Sequence, residues 1–133
     1  MKLSYLIDTD WIIHYLNGNT DIIEKVRSVE ESGLAVSIVS LAELYEGIYY
    51  STNPIGNEKA LDDFLSGVSI LGIEDETCRV FGKERGRLRM AKKMIGDFDL
   101  LIASTCLQNK LTLLTNNRRH YEMVYGLNIS SPA

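Results

Sequence analysis

The sequence predicts an α/β fold, with a mostly parallel central sheet of four to five strands and helices on both of its faces. Short apolar runs suited to strands buried on both faces, such as residues 2–7 and 34–39, alternate with longer segments whose apolar residues recur at helical spacing. That alternation continues from end to end, the pattern of parallel strands joined by crossover helices. With 133 residues, 45% hydrophobic and 24% charged, the chain is read as one cored domain over residues 1–133.

The first strand, Lys2 to Ile7, ends at Asp8-Thr9-Asp10. In an open α/β sheet, ligand chemistry gathers at the carboxyl ends of strands, so Asp8 is a candidate site residue as well as a candidate turn or cap. Trp11 to Leu16 continues as a helical turn or two and stops at Asn17-Gly18-Asn19, a strong breaker. Thr20 or Asp21 caps a second helix to about Glu31, with Ile22, Ile23, Val26 and Val29 on one face. After the second strand, residues 34–39, Ser40 reads as an N-cap, with Glu43 at capping-box spacing. Glu43 also follows the strand closely enough to reach the same sheet edge as Asp8, whereas Glu46, one turn on, is expected in solvent.

Residues 51–57 read as a loop, Glu58 to Ser66 as a helix with Ala60, Leu61, Phe64 and Leu65 inward, and residues 68–71 as a third strand. Glu74-Asp75-Glu76-Thr77 supplies acids to the start of a helix running to about Met94, with Val80, Phe81, Leu88 and Met90 or Ala91 inward. Gly82 and Gly86 weaken its propensity. This segment carries Arg79, Lys83, Arg85, Arg87, Arg89, Lys92 and Lys93 against the single acid Glu84 between them, on a chain of net charge −4. The net charge argues against a nonspecific nucleic-acid coat, while the local patch is either a solvated helix face or a phosphate-contacting surface.

Asp97 or Asp99 sits in the first turn of the next helix, where free N–H groups and the helix dipole favour negative charge. Leu100, Leu101, Ala103 and Leu107 then form a buried face. A fourth strand, Leu111 to Leu114, delivers Thr115-Asn116-Asn117 to the sheet edge; His120 reads as a polar residue on a short helix, and Leu127 to Ile129 as an edge strand. Cys78 and Cys106 lack CxxC partners and read as small buried hydrophobes, not a disulfide or zinc pair. No apolar run approaches the roughly 18 residues of a membrane span, and the N-terminus does not read as a signal peptide, so a cytoplasmic location without membrane partners is expected.

If the strands are parallel, Asp8, Glu43, Asp97 or Asp99, and residues 115–117 meet at one edge. Carboxylates packed together repel, so either one protonates or a cation sits among them. Oxygen donors without a Cys/His cluster favour Mg²⁺ or Mn²⁺ over zinc. Such an ion activates water and offsets phosphodiester charge, which points to hydrolysis of a nucleic-acid backbone held by the basic segment.

Four stretches in this order resemble the PIN-domain ribonucleases: Asp8 after a short first strand, Ser40-Leu41-Ala42-Glu43-Leu44 with Gly47 behind it, Asp99-Leu100-Leu101-Ile102-Ala103, and Leu114-Thr115-Asn116-Asn117. The lead-in Ile95-Gly96-Asp97-Phe98-Asp99 is similar to that of VapC-type toxins of bacterial toxin–antitoxin pairs, and the resemblance spans residues 3 to about 129. It implies a three-layer α/β/α PIN-like domain and a Mg²⁺- or Mn²⁺-dependent endoribonuclease, usually a homodimer, acting on RNA and restrained by a VapB-like antitoxin. It further implies that Asp8, Glu43 and Asp99 are the catalytic, metal-binding acids, with Asp97 either a supporting metal ligand or a group behind the ligands. Ser40, Thr115 and Asn116 match polar positions around the site, and Arg85, Arg87, Arg89, Lys92 and Lys93 are the expected RNA contacts. Asn117 stands where many PIN domains have Asp, so one ion is expected to bind firmly and a second more weakly.

Asp8-Thr9-Asp10 also suits haloacid-dehalogenase-like aspartyl phosphatases, which need a later phosphate-holding Lys and usually carry Thr or Val where this chain has Ile12. A receiver-like module needs an Asp at the end of a middle strand, which neither Val36 nor Ile70 supplies. A catalytically inactive PIN binding module is the third alternative.

Overall fold

In the computed structural model, residues 2–131 are described. Five parallel strands form one sheet: β1 (Tyr5–Ile7), β2 (Leu34–Ser37), β3 (Ser69–Leu71), β4 (Thr112–Leu114) and β5 (Asn128–Ser130), in the spatial order β3-β2-β1-β4-β5. Between them run α1 (Thr9–Leu16), α2 (Thr20–Val29), α3 (Ile38–Tyr49), α4 (Pro54–Leu65), α5 (Asp75–Met90), α6 (Asp97–Gln108) and α7 (Arg118–Tyr121). The sheet order places β1 at the centre, between β2 and β4, so chain segments leaving β1, β2 and β4 emerge side by side.

The three inner strands, β2, β1 and β4, are buried on both faces because both faces are covered. Successive side chains alternate sides with period two. Leu6, Ala35 and Leu113 join Leu88, Leu100, Ala103 and Tyr121 in one core, while Ile7, Val36 and Leu114 join Trp11, Ile22, Val26, Leu44 and Leu61 in the other. Burial of side chains of this size is worth roughly 1.5–3 kcal/mol each. Gly33, at φ +94°, turns the chain into β2 so close to the Lys2 carbonyl that any Cβ would collide with backbone.

Several local expectations are corrected. β2 ends at Ser37, whose hydroxyl accepts from Val39 N and caps α3. Ser40 is therefore inside the helix and buried, and Glu43 is not part of a capping box. Asn19, not Thr20 or Asp21, caps α2. Most of the expected 51–57 loop is helical, because Asn53 caps α4 and Pro54 occupies its first turn, where a missing N–H costs nothing. α5 runs unbroken through Gly82 and Gly86; it ends at Met90, which is exposed with Ala91. Cys78 is exposed, whereas burial pushes the Cys106 thiol up to about 12. No described helix is long and apolar enough to cross a membrane.

Candidate active site

The strand ends and the helices that follow them build one acidic cleft. Asp8 follows β1 directly and caps α1, its Oδ1 accepting from Thr9 N at 2.9 Å. Neighbouring strand β4 leads into Thr115, whose hydroxyl donates to Asp8 Oδ2 at 2.8 Å. Asp99 lies in the first turn of α6, and Glu43 lies on α3. Together with Thr9, Asp10, Ile13, Glu46, Gly47 and Asn117, these three acids line an open cleft of about 490 Å³. Set against ~30 Å³ for a water in the liquid, that volume admits a hydrated ion together with a backbone phosphate.

The acids are linked by hydroxyls. Tyr121 Oη stands 3.2 Å from both Asp8 Oδ1 and Asp99 Oδ1, and His120 Nε2 lies 3.0 Å from Asp99 Oδ2. On the other side of the cleft, Thr9 Oγ1 is 2.7 Å from Glu43 Oε1 and 2.8 Å from Ser40 Oγ. Thr9 has one hydroxyl hydrogen. Donating it to the carboxylate makes the stronger bond, so Ser40 donates to Thr9 and fixes its orientation.

Electrostatics follow from this crowding. Burial raises the Asp8 carboxyl to about 6, helped by repulsion from Asp10 and Asp99 and opposed by the bonds from Thr115 and Thr9 N. Glu43 is raised for the same first reason, with Asp99, Asp10 and Glu46 adding repulsion. Among the described residues no Lys or Arg lines the cleft. The aspartyl phosphatase reading needs such a Lys and finds no support here.

Uncompensated oxygen donors suit a hard divalent cation, which takes carboxylates and keeps several waters. Among the described residues no three His, Cys, Asp or Glu side chains are drawn tightly enough together to form a ready-made cage. The carboxylates instead face an open cleft, where an ion would be shared between protein, water and substrate oxygens. Asp8, Asp99 and Glu43 are the residues that fit it.

The structure separates the expected site residues into two sets. Asp8, Glu43, Asp99, Ser40, Thr115 and Asn117 are in the cleft or bonded to it. Asp97 is turned away, its exposed carboxylate pairing with Arg85 at 2.7 Å. Residues two apart on a helix point about 200° apart, so Asp97 cannot share the cleft with Asp99. Asn116 accepts from Trp11 Nε1 at 2.9 Å and serves packing.

Three members of the basic patch are also occupied, Arg79 pairing with Asp75 at 2.7 Å. Arg85 donates to Ile95 O as well as Asp97, and Arg87 donates to buried Glu84 and to Met123 O. Arg89, Lys92 and Lys93 remain exposed. Glu46 is exposed to solvent, as expected, and it also lines the open cleft, as does Asp10. Thr9 and Tyr121 gave no sequence signal of their own, although Asp10 and Thr9 stand beside an acid already suspected.

The profile of the PIN domain family matches residues 5–124. Ribonuclease VapC2 of Haemophilus influenzae is 31% identical over 125 residues, covering 94% of this chain and 95% of the relative. The tRNA(fMet)-specific endonuclease VapC of Shigella flexneri is 26% identical over 125 residues, at 94% and 95% coverage. Among solved structures, VapBC2 from Rickettsia felis bound to a promoter DNA fragment superposes with a TM-score of 0.92 at 27% identity, covering 97% of this chain and 98% of that one.

Proposed function

This chain belongs to the PIN-domain family, and from that premise we propose that it is a Mg²⁺- or Mn²⁺-dependent endoribonuclease, the toxin of a toxin–antitoxin pair. The observation that carries the reading is the convergence of Asp8, Glu43 and Asp99 on a cleft that no Lys or Arg lines among the described residues. A bound ion would supply Lewis acidity and offset charge on the scissile phosphodiester.

The chain's own residues prepare that chemistry. Thr115 and Thr9 N orient Asp8, His120 orients Asp99, and Thr9, itself held by Ser40, orients Glu43. Each carboxylate is held by a neighbour whose own position is set by a strand end or helix turn, as preorganised sites require. Exposed Arg89, Lys92 and Lys93 supply positive charge for the RNA backbone. Asn117 offers a neutral oxygen at the cleft, which favours a single firmly held ion.

The inhibitory partner in this reading is a VapB-like antitoxin, and the active form is a homodimer. An apolar groove lined by Ile13, Leu16, Leu44, Ile48 and Ala60 shares Ile13, Glu43 and Gly47 with the acid cleft. A partner segment seated there would sit against the acids and obstruct them.

The test is Asp99→Asn. It should remove Mg²⁺-dependent cleavage of RNA and relieve growth arrest on expression, with circular dichroism unchanged. Full activity in that variant, or undiminished cleavage in excess EDTA, would overturn the metal site. Sequencing the ends of RNA cut by the purified protein identifies the substrate.

A further inference from the structure

We propose that Tyr121 is a positioning residue of the acid site, its hydroxyl donating to Asp99 beside Asp8 and thereby fixing how Asp99 presents its carboxylate to a divalent cation. The inference rests on the metal reading above and adds a residue that the sequence motifs do not contain.

Tyr121 ends the short helix α7 and is fully buried in the core that holds Leu100, Ala103 and Leu113. Its backbone is tied at both sides, N–H to Asn117 O at 3.2 Å and C=O from Val124 N at 3.0 Å. The phenol is therefore a rigid arm, and its tip is the only polar part. That tip is 3.2 Å from Asp8 Oδ1 and 3.2 Å from Asp99 Oδ1, two carboxylates delivered by elements 91 residues apart in sequence, since 99 − 8 = 91. A phenol is a donor at neutral pH and carries one hydrogen; because Asp8 Oδ1 already accepts from Thr9 N, that hydrogen goes to Asp99 Oδ1.

The dependence on Tyr121 is unequal. Asp8 retains Thr9 N on Oδ1 and Thr115 on Oδ2 without it. Asp99 Oδ1 accepts from no other donor among the described residues, and only His120 on Oδ2 would then hold that carboxylate. Losing the hydroxyl lets Asp99 rotate about its side-chain bond and move off the Asp8 carboxylate. Partners behind ligating carboxylates affect metal affinity in this way, typically by 10–100-fold.

Tyr121→Phe keeps the ring and its packing, and the Asp99 oxygen that loses its donor faces the open cleft. Calorimetric titration with Mn²⁺ should give roughly tenfold weaker binding than wild type, with the metal-free melting temperature nearly unchanged. RNA cleavage should return toward wild type at saturating Mn²⁺, a recovery that a general loosening of the fold would not give. Unchanged Mn²⁺ affinity in folded Tyr121→Phe, beside lost binding in Asp99→Asn, would overturn the role of Tyr121 and leave the metal site standing. Absence of Mn²⁺ binding in the wild type, or wild-type affinity in Asp99→Asn, would overturn the metal site and this proposal with it.

Discussion

Thr115 Oγ1 donates a 2.8 Å hydrogen bond to Asp8 Oδ2, joining the ends of the two central strands β4 and β1. The bond holds the Asp8 carboxyl down, but burial and the neighbouring acids outweigh it and leave the group near 6, against 3.8 when unfolded. The folded protein thus binds this proton more tightly than the unfolded chain. Its contribution to stability is complete below about pH 4 and is lost as pH rises toward 6. A shift of about two units corresponds to roughly 3 kcal/mol at most. Asp8→Asn should remove this slope and stabilise the metal-free protein at pH 7 while abolishing cleavage. Urea melts of both proteins from pH 4 to 7 measure the difference, and identical slopes would refute it.

The acids were legible in the sequence because each follows a strand or opens a helix, and a parallel sheet sends all such positions to one edge. What was not legible depends on rotation about helix axes and on contacts across the sheet. Two residues of spacing separate Asp97 from Asp99 by more than half a helical turn, and the pairing with Arg85 shows which one faces outward. Ser37 and Ser40 compete for the same cap, and the outcome turns on where β2 stops pairing. Tyr121 reaches Asp8 from 113 positions away, a contact that no local pattern encodes.

The basic patch divides into clamps and free charges. Arg87 spans Glu84 and Met123 O, so Arg87→Gln should lower the melting temperature and leave the salt dependence of RNA binding close to wild type. Replacing Arg89, Lys92 and Lys93 with Gln should instead flatten the plot of log affinity against log salt, by up to ~0.7 for each phosphate contact to a single strand. Melting should barely change in that triple variant. An unaltered salt slope would return the patch to a solvated face.

Asn116 belongs to packing and not to the acids. Its side-chain oxygen satisfies the indole N–H of fully buried Trp11, the one tryptophan of the chain. Asn116→Ala strands that donor and should cost about 1–3 kcal/mol. The fluorescence of Trp11 should shift with it, while Mn²⁺ affinity stays within about twofold of wild type if the usual independence of unconnected sites holds. A large loss of metal binding in a folded Asn116→Ala protein would place Asn116 in the site after all.

Gly47 lies on α3 one turn after Glu43, where the acid cleft and the apolar groove meet, and a Cβ built there touches nothing within 4 Å. Neither backbone conformation nor packing requires glycine at this point. Gly47→Ala should stabilise the protein by roughly 0.5–1 kcal/mol through helix propensity alone. Access is what an absent side chain protects, because anything larger projects into the passage that a phosphodiester would use. Gly47→Trp should fold and bind Mn²⁺ as wild type does, yet slow RNA cleavage by on the order of tenfold or more, since small displacements of a bound substrate are costly. Steady-state cleavage beside Mn²⁺ calorimetry separates the two effects, and undiminished turnover in Gly47→Trp would show that RNA enters by another side.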